Sequence, residues 1–173
     1  MTVEGFISMR IIGLGNTILS DDGVGIYAAR EIGRRLAHAG LASAVDVVES
    51  EVAGFALMEL LAGCRRAILV DSIQFDNLEP GTVVQIAPHD LRTSLRLRSV
   101  HEIDLPTALG LGRHLGLRMP EDITIFGIQA EDAQTFGESL SPAVALGMQR
   151  AVDSIMRELS DGDRHALLTE RLV

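Results

Sequence analysis

"MRIIGLGNTILSDDGVGIYAAREIGRRLAH", Met9 to His38, changes its hydrophobic period partway along, and that change decides the fold. Met9 to Leu14 is an apolar run of strand length. From Val24 the apolar residues fall at Val24, Ala28, Ala29, Ile32 and Leu36, one face of a helix that Gly40 stops. Between the two lie Gly13 and Gly15, then the pair Asp21 and Asp22. The stretch opens like a phosphate-binding glycine turn and closes on two carboxylates, so it is built for either a nucleotide or a cation.

Further along, the same alternation continues. Ala44 to Val48 reads as a second strand, Phe55 to Gly63 as an apolar helix, and "RAILVDS" (Arg66 to Ser72) as a third strand whose unbroken apolar run predicts burial on both faces. "NLEPG" is a turn signal, after which "TVVQIA" can pair back as an antiparallel edge strand. Asp104 to Leu115 reads as a helix with Pro106 in its first turn, "ITIFGI" as another buried strand, and "SPAVALGMQRAVDSIMREL" as a long closing helix with Ser141 at its cap and Pro142 at its first position. Strand and helix in alternation imply right-handed crossovers and an α/β fold, with helices on both faces of a mostly parallel sheet. In such folds ligands bind beyond the carboxyl ends of the strands, where the strand order reverses.

With no repeat, low-complexity tract or linker, residues 1–173 read as one domain, with 1–8 a dispensable extension and 160–173 a charged, frayed tail. Apolar residues are 47% of the chain, yet there is no Trp, one Tyr and five Phe, so the core is expected to be Val, Ile, Leu and Ala. A net charge of -9 argues against nucleic acid, because phosphate backbones are held by Lys and Arg. No apolar run reaches the roughly 18 residues of a membrane span, and there is no signal-peptide pattern. The single cysteine, Cys64, can form no internal disulfide and reads as a buried structural thiol rather than a nucleophile. The expectation is a cytoplasmic monomer with no membrane partner.

The nucleotide readings fail at named residues. After Gly13 and Gly15 the third glycine of a dinucleotide turn is replaced by Ile18, and no Gly-Lys-Ser/Thr follows. An EF-hand fails too, since oxygen ligands do not alternate after Asp21. "GLGN" is similar to the start of peptidyl-tRNA hydrolases, but their Pro-Gly is missing and no His occurs before His38. Asp21 and Asp22 remain, before a helix that either could simply cap. Asp71 ends the third strand, and if strands one and three are neighbours it lies about 5 Å across the sheet from the first loop. His101, in "SVHEIDLP", leads into a crossover helix and is either a surface residue or a third ligand. Two carboxylates and an imidazole suit zinc, nickel or similar cations, with coordination positions left open.

The chain resembles the hydrogenase maturation endopeptidases, which trim the C-terminal extension of the nickel-iron hydrogenase large subunit. The resemblance rests on "GLGNTILSDDGVG", "VAGFALMELL" with Gly54, "ILVDSI" followed by "PGTV", "SVHEIDL" and "LSPAV", from Met9 to about Leu159. It implies a three-layer α/β/α sandwich around a five-stranded sheet with one antiparallel strand. It also implies that Asp22, Asp71 and His101 recognise nickel carried by the precursor, with Asp71 or Asp22 as catalytic base and zinc or cadmium able to occupy the same site. The alternative is a metal-binding assembly factor that does not hydrolyse. Ala130 stands where many relatives are expected to have Pro, which bears on substrate choice. Arg92, Arg96 and Arg98 are either a docking patch or a solvated face, and Asn16 with Gly15 either shapes the metal loop or satisfies a turn.

Overall fold

Ile11 and Ile12 are both without exposed surface, which successive strand residues achieve only when both faces of the sheet are covered. The structure, a computed structural model, describes residues 7–51, 55–86 and 105–169. The two isoleucines lie in β1 (Ile7–Leu14), which pairs in parallel with β2 (Asp46–Ser50) on one side and β3 (Cys64–Ile73) on the other. Beyond β3 comes β5 (Asp122–Gln129), also parallel, and then β4 (Val83–Ile86), antiparallel at the edge, for an order β2-β1-β3-β5-β4. The edge position of β4 is the one expected of "TVVQIA".

Helices α1 (Val24–His38) and α4 (Pro142–Thr169) cover one face; α2 (Phe55–Leu61) and α3 (Leu105–His114) cover the other. Alternation sorts the strand residues between them. Ile11, Ile68, Val70, Phe126 and Ile128 join Val24, Ile32, Val144 and Ile155 in one core. Ile12, Ala67, Leu69, Ile123 and Ile125 join Leu57, Leu61, Leu105 and Leu109 in the other. The run Ala67 to Val70 is buried throughout, as its continuous apolar pattern requires. Among the described residues no helix is long and apolar enough to cross a membrane.

Several element boundaries differ from the sequence reading, and three of the differences have a visible cause. Strand β1 starts at Ile7, inside the segment read as an extension, because the Ile7 N–H donates to the Gly63 carbonyl at 3.1 Å and Ile7 pairs with Cys64. Strand β2 runs from Asp46 to Ser50 rather than from Ala44, since Ala44 closes a turn onto Leu41 and Arg10 holds the Asp46 carboxylate at 2.6 Å. Helix α4 continues to Thr169, past the Leu159 end of its periodic pattern, because Gly162 weakens a helix by only about 1 kcal/mol and no proline stops it.

Candidate active site

Strand β1 connects through α1 to β2 on one side and the chain then returns to β3 on the other, so the strand order reverses between β1 and β3. Crevices of this kind receive ligands at the carboxyl ends of the strands. Leu14 ends β1 there, and Asp71 follows Val70, the partner of Gly13, on β3.

The first loop is shaped by backbone geometry. Gly15 has φ of 141°, a left-handed value that favours glycine, and a Cβ on it would meet the Asp22 carbonyl oxygen. Asn16 accepts the Ile18 N–H on Oδ1 at 3.1 Å and the Leu19 N–H on its carbonyl, so of its two readings the structure supplies the tight turn. A 3-10 helix, Ser20–Gly23, carries Asp21 and Asp22 into α1. Gly25, in the first turn of α1, packs directly on the Leu14 and Val70 carbonyl oxygens. That close helix approach is the service a third glycine renders in a dinucleotide turn, delivered here ten residues beyond Gly15.

Asp21 caps neither the 3-10 helix nor α1, each of which starts without a side-chain cap. It is wholly buried, and its carboxylate accepts the backbone N–H groups of Glu131 and Asp132, both at 3.0 Å, and of Ser141 at 2.6 Å. The expected cap at Ser141 is therefore reversed: its amide is held by Asp21, while its own hydroxyl is buried without a partner among the described residues. Ser20 adopts a left-handed φ of 49°, a strain of about 1–2 kcal/mol. Its N–H to the Gly137 carbonyl (2.7 Å) and its hydroxyl to the Thr135 carbonyl (2.9 Å) offset that strain.

Asp22 and Asp71 come together. The Ser72 hydroxyl donates to Asp22 Oδ1 at 2.9 Å, and the Ser72 N–H donates to Asp71 Oδ1 at 2.8 Å. Burial first, and the Asp22 carboxylate second, push the Asp71 carboxyl up to about 7, against a smaller downward pull from the Ser72 N–H. A carboxyl so placed can hold or release a proton near neutral pH. His101 lies outside the described residues, as do Gly54, Arg92, Arg96 and Arg98.

Cys64 stands at the opposite end of the sheet, opening β3. It is buried, its thiol donates to the Leu61 carbonyl, and burial pushes its pKa up, which disfavours the thiolate a nucleophile needs. Ala130 is buried and donates its N–H to the Ile73 carbonyl at 2.9 Å, a bond that a proline there would lose. Sequence reasoning missed Ser72, Gly25 and the reach of Asp21. Only the placing of Ser72 one residue after Asp71 could have signalled the first.

The hydrogenase maturation protease family model, HycI, matches residues 26–158. The chain is 26% identical over 153 residues to the hydrogenase expression/formation protein HupD of Bradyrhizobium diazoefficiens, spanning 87% of this chain and 77% of that protein. It is 22% identical over 163 residues to the hydrogenase 2 maturation protease of Escherichia coli, spanning 94% and 96%. The solved structure of the NiFe hydrogenase maturation protease HybD from Thermococcus kodakarensis superposes with a TM-score of 0.62 at 31% identity, over 88% of this chain and 98% of that one. This chain belongs to the hydrogenase maturation protease family. Its activity is that of a peptidase acting in hydrogenase processing.

Proposed function

We propose that this peptidase removes the C-terminal extension of a nickel-loaded hydrogenase large-subunit precursor, recognising the metal through Asp22, Asp71 and His101. The observation that carries the reading is the joining of Asp22 and Asp71 through Ser72 at the reversal of strand order. The donor set fits a divalent cation: of two neighbouring carboxylates, Asp71 is driven toward its neutral form by burial first and by Asp22 second, and a cation lying between them favours the ionised form of both. Nickel, arriving as part of the substrate, would supply Lewis acidity and a fixed point for docking.

The chain's own groups then do the rest. Docking brings the scissile peptide to the carboxylates, and Asp71 accepts the proton of the attacking water and returns it to the leaving amine. Ile18 and Phe136, on the two segments that flank the 3-10 helix, are 49% and 80% exposed, apolar contacts suited to a polypeptide.

The test is incubation of nickel-loaded precursor with the protein, read by mass spectrometry. Shortening by the length of the extension is expected. A bound but unshortened precursor would favour the non-hydrolytic assembly-factor reading. In the same assay His101→Ala is expected to abolish processing while circular dichroism stays native; full processing by that variant removes His101 from the site.

A further inference from the structure

Asp22 and Asp71 approach from different layers of the molecule. Along β3, Ala67 and Leu69 belong to the core under α2 and α3, while Ile68 and Val70 belong to the core under α1 and α4. Strand alternation carried two residues further puts Asp71 with the first pair and Ser72 with the second, the side from which the 3-10 helix delivers Asp22. Two like charges reaching one place from opposite sides of a sheet have no reason to stay there. Asp22 can swing toward water by rotating about its side-chain bonds, which relieves the repulsion.

Ser72 opposes that rotation. It is the residue whose bonds reach both carboxylates, through its hydroxyl to Asp22 and its backbone N–H to Asp71. Each bond occupies the Oδ1 atom, and among the described residues no donor to either Oδ2 is seen. A hydroxyl donating to an ionised carboxylate makes a bond about twice as strong as one between neutral groups.

We propose that Ser72 is a positioning residue for the reaction, clamping Asp22 against Asp71 so that their two unbonded oxygens form a single cation-accepting pair. The proposal rests on the reading of Asp22 and Asp71 as the residues that engage the precursor's metal. Its content is that the hydroxyl, rather than the bulk or the backbone of residue 72, sets the spacing. Ser72→Thr keeps the hydroxyl and suits a strand, whereas Ser72→Ala keeps the strand and deletes the donor.

The test uses the full chain as wild type, Ser72→Ala and Ser72→Thr. Nickel(II) alone is titrated by calorimetry, and precursor processing is followed for KM and kcat. Ser72→Ala is expected to weaken nickel binding by about 10- to 100-fold, the usual cost of losing a partner that orients a ligand, and to raise KM for the nickel-loaded precursor. Ser72→Thr is expected to recover most of both losses, and both variants are expected to melt within a few degrees of wild type. Wild-type affinity in Ser72→Ala overturns the proposal, and so does a folded Ser72→Thr as impaired as Ser72→Ala. Asp22→Asn and Asp71→Asn run alongside. If those two lose nickel and processing while Ser72→Ala does not, only the role of Ser72 fails. If they process normally, the metal-site reading fails and the clamp with it; if the wild type takes up no free nickel, KM for the nickel-loaded precursor carries the comparison of Ser72→Ala with wild type.

Discussion

At Asp71 burial and a neighbouring negative charge act in the same direction, and the carboxyl reaches about 7. The sign of the consequence for stability follows from which state holds the proton. Between about pH 4, where the unfolded carboxyl ionises, and about pH 7, the folded chain binds a proton that the unfolded chain has released. Stability from this group is therefore complete below pH 4 and is lost as pH rises toward 7. Asp71→Asn removes the ionisation, so the metal-free variant is expected to match wild type near pH 4 and to exceed it by about 2–4 kcal/mol above pH 7. Urea unfolding of both proteins at pH 4, 6 and 8 measures the difference, in which all other titrations cancel. A gain independent of pH would remove ionisation of Asp71 as its cause. The same substitution should abolish processing, because a site that concentrates charge does so against the stability of the empty protein.

At the scale of an element, the start of α1 shows sterics overruling propensity. Alanine is worth up to about 1 kcal/mol over glycine inside a helix, so propensity alone favours Gly25→Ala and Gly110→Ala equally. A Cβ at Gly110 in α3 meets nothing within 4 Å, and that substitution is expected to raise the melting temperature. At Gly25 the Cβ meets the Leu14 and Val70 carbonyl oxygens, backbone atoms that cannot rotate aside. Gly25→Ala is therefore expected to cost about 1–3 kcal/mol net and to lift the 3-10 helix, with Asp22, off the strand ends. Equal effects of the two substitutions in a melting experiment would contradict the close approach. Helical periodicity predicted both bounds of α1 correctly, but periodicity carries no information on which glycine touches a strand.

Across the whole molecule, Asp21 ties the first loop to segments more than a hundred residues away, at Glu131, Asp132 and Ser141. Asp21→Asn turns an acceptor into a donor facing backbone N–H groups, and a loss of about 3 kcal/mol in urea unfolding is expected; a loss under about 1 kcal/mol would show the tie to be slack. The tie explains why the sequence was legible in some respects and not in others. Local pattern alone determined the α/β class, the buried strands β3 and β5, the returning edge strand and the position of Asp71 toward the carboxyl end of its strand, because hydrophobic period and turn residues act over a few positions; that strands one and three are neighbours was a condition the sequence left open. Only the tertiary structure decided that Asp21 reaches across the molecule instead of capping its own helix, that the Ser141 hydroxyl caps nothing, that Gly25 makes the close helix contact, and that Ser72 joins the two carboxylates. A carboxylate accepts any N–H brought within reach, and which N–H groups come within reach is settled by how distant segments pack.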